Sequence, residues 1–456
     1  MNAAGRTLII VVVVVAALQL ARPSIPEKPA TDELRTPPQV KRILETSCYS
    51  CHSDQRRLSW FDEIVPAYWL VRADVLTARQ HLNFSTLGAK PPAAQKAALY
   101  EAVNMIQLGA MPLPRFLRLH PEAKLSAEDL NTLKAYLAPW SPLPNPAERG
   151  SHGSGTLNPP SPTARISLSD VQPEPNGFSF DPSFEAWKPI STTDRGDNNT
   201  FRFILGNEIA VKAAQSGNVS PWPYGTRFAK IAWQQEMGTD GLIHPGTFVQ
   251  VELMLKDAGR YKSTDGWGWG RWRGLNLTPY GNSAQFVNEC TTCHMPVRGN
   301  DYVYTLPMTT ARVSGEEVVN NRAADLPANL PYQPLSWSAI TMYVDPNRHT
   351  TATLYGNDVA IQAVRASAKS PRETVERLAY PANSVLALVT WEQRDDPHWF
   401  GARIPNIPSS VEFVEVGLTT SYQRFAGTGL AEVHVTDLSA AERISFVAGL
   451  APAQLP

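Results

Sequence analysis

The chain opens with an unbroken apolar run from Leu8 to Leu18, preceded by Arg6 and continued past Gln19 by Leu20 and Ala21. A basic residue before such a run is the layout of a secretory signal. At about 1.5 Å per residue the run is short for a full membrane span. Arg22-Pro23 follows, with no clean small-residue cleavage site. Residues 1–24 are therefore expected to be a signal peptide or an uncleaved membrane anchor. The period then becomes helical. Val40, Ile43 and Leu44 share a face of a helix that Thr36 caps and Pro37 opens. Ser126 and Asp129 form a capping box ahead of a second apolar face, Leu130, Leu133 and Leu137, and Pro139 stops that helix. Residues 30–140 read as an all-α domain. Over 141–178 the periodicity vanishes, and Ser141-Pro142-Leu143-Pro144 and Gly150-Ser151-His152-Gly153 mark a semi-stiff linker.

Beyond the linker the pattern turns to short alternating strands such as Phe248 to Leu255. Here the chain repeats itself. Trp187, Ile190, Thr200, Gly206, Asn207, Ala210 and Ala213 recur without gaps as Trp337, Ile340, Thr350, Gly356, Asn357, Ala360 and Ala363. Ala229 and Trp233-x-Gln235 recur as Ala387 and Trp391-x-Gln393. Agreement at this density predicts a duplication, with copies at 179–312 and 330–450. The expected fold class is multidomain, α plus α+β: the N-terminal signal or anchor, an all-α domain, then two antiparallel β-sheet domains with a few helices.

Composition narrows the partners. With 43% apolar and 18% charged residues, the chain has enough apolar material for packed cores and is not disordered throughout. Lys and Arg total 41 against 42 Asp and Glu. No cationic excess is available for a phosphate backbone, so nucleic acid is not an expected partner.

The four cysteines carry the chemistry. They form Cys48-Tyr49-Ser50-Cys51-His52 and Cys290-Thr291-Thr292-Cys293-His294. C-x-x-C-H is the attachment pattern of c-type haem: two thiols reach the vinyl groups on one haem edge, and the adjacent His puts its imidazole on the iron. A redox cysteine pair would not need the His, nor would a four-cysteine zinc site. Two covalently bound c-type haems are expected, with Cys48, Cys51, His52, Cys290, Cys293 and His294 as attachment and ligand residues. Bacterial haem attachment takes place outside the cytoplasm, which agrees with the apolar leader and points to the periplasm.

A sixth ligand for the first iron is offered by Met111, in Gly109-Ala110-Met111-Pro112; its bland reading is a core Met. His81 is the rival. A Met/His pair saturates the iron and suits electron transfer. The second iron has no comparable partner. Met295-Pro296 follows His294 too closely to turn back over the ring, which leaves His244 as the remaining candidate and otherwise an iron with one open face. Trp267, Trp269 and Trp272 read either as an electron path or as one packed, Gly-interrupted strand.

Residues 30–140 resemble the bacterial haem-binding domain family of cytochrome-c-like modules, through Cys48 to Ser53, Trp60, Pro66, Trp69-Leu70, His81 to Ser85, Met111 to Pro114 and His120 to Leu125. Residues 179–312 resemble the cytochrome P-460 family of β-sheet c-type cytochromes, through Gly225-Thr226 to Lys230, Val251-Glu252, Lys256-Asp257, Cys290 to His294 and Asn300 to Thr305. The type members of that family oxidise hydroxylamine, and its c-prime-beta relatives bind nitric oxide. The resemblance implies a lysine bonded to the haem macrocycle, matched by Lys230, and a proton-relaying glutamate, matched by Glu252. Against these stand an exposed strand lysine and a structural ion pair. The second copy has no cysteine, and Leu388 stands where the first has Lys230.

The expectation is a periplasmic dihaem cytochrome, a possible hydroxylamine-oxidising oxidoreductase. Its first domain would pass electrons to periplasmic or membrane redox proteins. Its second would hold a haem open to a small nitrogen or oxygen ligand. A nitric-oxide carrier and a plain electron relay are the alternatives.

Overall fold

A computed structural model of the protein describes residues 3–138, 167–308, 320–369 and 378–456. Most of the expected linker, everything from 141 to 166, lies outside the described residues, as does Pro139, the expected helix stop. The chain divides into two compact units, Met1–Ser141 and Pro142–Pro456.

The first unit is helical. The apolar run forms α1 (Ala3–Gln19), of 17 residues. Among the described residues no helix is long and apolar enough to cross a membrane. The end of α1 and the chain after it are tied to the rest of this unit: the Val65 amide donates to Gln19 Oε1 at 3.1 Å, and the Tyr68 hydroxyl to the Pro23 carbonyl at 2.6 Å. Helix α2 (Pro38–Ser47) buries Val40, Ile43 and Leu44, and α3 (Tyr49–His52) follows at once. Then come α4 (Ala67–His81), α5 (Pro92–Gln107) and α6 (Ala127–Leu137). The expected capping box is present: Ser126 accepts from the Asp129 amide, and the Asp129 carboxylate accepts from the Ser126 amide, each at 3.0 Å. Leu133 and Leu137 are buried and α6 packs on α2.

In the second unit the two copies run through the same elements in the same order. The first has β1 (Lys188–Arg195), β2 (Thr200–Gly206), α7 (Glu208–Ser216), β3 (Arg227–Met237), β4 (Ile243–Lys256), β5 (Trp267–Arg273), β6 (Thr278–Pro279) and α8 (Val287–His294). The second has β7 (Ser338–Asp345), β8 (Thr350–Gly356), α9 (Asp358–Lys369), β9 (Val385–Asp395), β10 (Ala402–Glu415), β11 (Ser421–Ala426), β12 (Ala431–Glu432) and α10 (Asp437–Gly449). The repeated Asn has one job in both copies: Asn207 Oδ1 accepts from the Ala210 amide and Asn357 Oδ1 from the Ala360 amide, each at 3.0 Å.

The copies do not form two separate sheets, as the sequence predicted. Alone, β1 to β4 would leave β1 and β4 as edges with unpaired backbone groups, and β7 to β10 would do the same. The edges pair with each other instead. Ile243 lies opposite Val344, and Asp194 and Arg195 lie opposite Arg403 and Ala402. The result is a closed antiparallel barrel of eight strands, with β5, β6, β11 and β12 extending from it.

Alternation along the strands sorts side chains onto two faces. Phe201, Phe203, Ala229, Ile231 and Val251 join one apolar cluster; Ile204, Phe228, Trp267 and Trp269 join another with Ala210, Ala213 and Tyr302. Residues 168–178, expected to be linker, pack here as well: Leu168, Val171 and Phe178 join the first cluster. The buried Glu174 carboxylate accepts from the amides of Arg271, Tyr280 and Gly281 at 3.0 Å.

Candidate functional sites

In the first unit α2 delivers Cys48 and one further turn delivers Cys51 and His52. His52 Nδ1 donates to the Leu82 carbonyl at 2.9 Å, and the His52 carbonyl accepts from the Phe84 amide at 2.8 Å. The ring of Phe84 stacks on Tyr49 at 5.4 Å. Residues 82–84 thus fix the imidazole through its Nδ1, as a ligating His needs. Burial lowers the His52 pKa, which keeps the ring neutral. His81 is exposed, and its backbone lies beside Leu82, on the Nδ1 side of His52. Met111 follows α5, half-buried, with its amide donating to Met105 at 3.1 Å.

The second motif sits on the outer end of α8, and Cys290 packs against the cluster holding Phe228 and Trp269. His294 Nδ1 donates to the Tyr302 carbonyl at 2.7 Å. That carbonyl is aimed by an unusual turn: Asp301 and Tyr302 both have left-handed backbones, φ 47° and 66°. Asp301 is locked by Lys256 at 2.6 Å and by the Trp222 amide at 2.9 Å. The Trp269 ring lies 4.5 Å from that of His294. Burial takes the His294 pKa down to about 4 and the Cys290 thiol up to about 12.

Lys230 and Glu252 face each other across β3 and β4, in ion contact. Phe228 shares their face while Ala229 and Ile231 take the other, as strand alternation requires. Arg271, on β5, lies opposite Glu252 with Nε 3.1 Å from its carboxylate. Lys230 is 27% and Glu252 15% exposed. Burial pulls Lys230 down to about 8, aided by Arg202 and Arg271 and opposed by Glu252. Burial works against the Glu252 carboxylate, but Lys230 and Arg271 outweigh it and hold it at about 2. Arg202, on β2, is pushed down to about 9 by burial, and its Nε has no hydrogen-bond partner. Sequence reasoning missed Arg202 and Arg271.

His244 is not part of this wall. It pairs with Asp240 at 2.9 Å near the start of β4, eight residues before Glu252, or about 26 Å along a strand. The three tryptophans split as alternation dictates: Trp267 and Trp269 lie on the Lys230 face and Trp272 on the opposite one.

The residues present fit haem. Each motif His has its Nδ1 engaged by a backbone carbonyl. Lys230, Arg202 and Arg271 exceed the single Glu252 by two positive charges, which two haem propionates would balance. The buried Trp269 indole N–H beside His294 is also without a partner. Among the described residues, no three His, Cys, Asp or Glu side chains converge as a metal-binding group.

Residues 8–139 match the family model for the haem-binding domain, and residues 182–305 match that for cytochrome P460. The second copy of the repeat lies in neither match. No curated protein matches the chain.

Proposed function

We propose that this chain, a haem-binding domain followed by a cytochrome P460 domain, is a periplasmic c-type cytochrome with haem attached at both C-x-x-C-H motifs, and that it oxidises hydroxylamine or a similarly small nitrogen donor at the second. The observation that carries the reading is the Lys230–Glu252 pair on the same sheet face as Phe228 and Trp269, with Trp269 against His294. An iron held by His294, with no second protein ligand on this wall, would keep one coordination position for substrate and accept its electrons. With a pKa near 8, Lys230 has a sizeable neutral fraction close to neutral pH, as an amine that bonds to a haem edge must have. Glu252 at about 2 is a poor proton acceptor while both cations hold it. If the Lys230 charge is lost in a covalent bond, Glu252 becomes the stronger base and can take the proton that an N–H or O–H donor releases. In the first unit, Met111 would complete the iron and make that haem an electron exit. The apolar leader would hold the chain at the periplasmic face of a membrane, where redox proteins collect the electrons.

The test is the absorption spectrum of the purified holoprotein, with hydroxylamine oxidation measured beside it. A red-shifted second haem band, lost together with turnover in Lys230→Leu while the first haem is unchanged, is expected. A spectrum unchanged from wild type and undiminished turnover in that variant overturn the reading. An ordinary five-coordinate spectrum that responds to nitric oxide without turnover identifies a nitric-oxide carrier, and two six-coordinate low-spin haems identify a plain relay.

A further inference from the structure

The haem-less copy reaches into the back of the second haem site. Its β9–β10 turn, residues 396–401, lies against Tyr304, two residues beyond the carbonyl that fixes His294. His398 Nδ1 donates to the Tyr304 carbonyl at 2.6 Å. The Trp399 ring meets the Tyr304 ring edge-on at 5.6 Å. Tyr304 in turn donates its hydroxyl to the Cys293 carbonyl at 2.6 Å and packs edge-on against His294 at 5.1 Å. The turn is itself anchored in the haem-bearing copy. Trp399 Nε1 donates to Asp197 at 3.2 Å, the Arg195 guanidinium lies 4.4 Å from the Trp399 ring centre, and the Asp197 amide donates to the Gly401 carbonyl at 3.2 Å. These contacts exist because β10 pairs with β1, so they are a consequence of barrel closure. The matching turn of the first copy does not do this. Its His244 pairs with Asp240 and lies 6.0 Å from Tyr343.

We propose that His398 and Trp399 are positioning residues for the proximal ligand of the second haem, so that the haem-less copy supplies the rear wall of a site it does not itself contain. The inference rests on haem being held at Cys290, Cys293 and His294. Outer groups that hold a ligating His set its orientation and its basicity. Here the outer group is the Tyr302 carbonyl, and the segment 302–304 is held at its far end by the β9–β10 turn. Loosening that end lengthens the His294 Nδ1 to Tyr302 hydrogen bond, makes the imidazole a weaker donor and favours the reduced iron.

The experiment uses the full-length holoprotein and counts haems by mass first. Absence of haem at Cys290 and Cys293 in the wild type would sink the haem reading and leave nothing to position. With two haems present, His398→Phe removes the hydrogen bond and keeps a ring, while His398→Gln keeps a donor. The iron–histidine stretch of the ferrous second haem is read by resonance Raman, and both midpoint potentials are measured. In His398→Phe the stretch should fall and the second potential rise, with the first haem as an unchanged internal control. Displacement of His294 by nitric oxide should become about 10-fold easier, the usual scale for losing an outer-shell partner. His398→Gln should restore the wild-type stretch. If His398→Phe does not fold, Trp399→Phe, which loses the bond to Asp197 and offers a smaller ring to Tyr304 and Arg195, should show a smaller shift in the same direction. An unchanged stretch and potential in whichever of these variants folds with two haems overturns the proposal.

Discussion

The two copies of the repeat share strands and register but use one sheet face in opposite ways. In the first, Glu252 stands between Lys230 on β3 and Arg271 on β5. In the second, Glu412 stands between Leu388 on β9 and Arg424 on β11. The carboxylate and the arginine are kept, and the lysine is not. The covering helix differs as well. Helix α8 has 8 residues and ends in the haem motif; α10 has 13 and brings Arg443 onto Glu412, with two guanidinium contacts of 2.7 Å. The Tyr422 hydroxyl adds a bond at 2.6 Å, and Leu388 and Val447 are wholly buried alongside. The same glutamate is thus a strut where a helix seals it and, in the proposed reading, part of the wall that haem would cover.

The largest effect expected from breaking this contrast is in the open copy. Cys290→Ser with Cys293→Ser should remove the second haem entirely and leave the first spectrum intact, as read by haem content and intact mass. In the sealed copy, Arg443→Ala strands the Glu412 carboxylate, which is 3% exposed. Chemical unfolding should show a loss of about 3 kcal/mol, the scale for breaking a buried ion pair from one side. Leu388→Ala should cost a similar amount, about 2–3 kcal/mol, through the cavity it leaves. The smallest effect should come from Lys230→Leu, within about 1 kcal/mol of wild type at neutral pH, because Glu252 keeps its contact with Arg271 at 3.1 Å and is not stranded, and the Lys230 side chain is 27% exposed. Its pH dependence sharpens the contrast. Without haem, burial pulls the free Lys230 amine down to about 8 in the fold against 10.5 ordinarily. Between those values the unfolded chain holds the extra proton, so the stability of haem-free wild type relative to haem-free Lys230→Leu should rise from pH 8 to 10.5 and be level below 8. Unfolding midpoints of the haem-free proteins across that range check the sign.

Local chemistry was legible in the sequence and long-range closure was not. The C-x-x-C-H spacing, the Ser126–Asp129 capping box and the Asn207 and Asn357 caps all depend on residues a few positions apart. Barrel closure depends on β4 meeting β7 and β10 meeting β1, pairings that no strand pattern encodes; each copy alone reads as a complete sheet. Lys230 and Glu252 were named through resemblance, but Arg202 and Arg271 were not, since an arginine in an alternating strand looks solvated. Glu412 had a signal that was passed over: Val251-Glu252 recurs as Val411-Glu412. Arg443 had none, because α10 is the part of the repeat where the copies diverge. His398 and Trp399 were equally silent, since their partners lie roughly a hundred or more residues away.

Peptide mass spectrometry of the purified holoprotein tests the contrast between the copies most directly. One haem should be found on the peptide carrying Cys48 and Cys51 and one on that carrying Cys290 and Cys293, with the Lys230 peptide joined to the second and no adduct from residues 320–456. Free thiols at Cys290 and Cys293, or a haem there with the Lys230 peptide released unmodified, would contradict it.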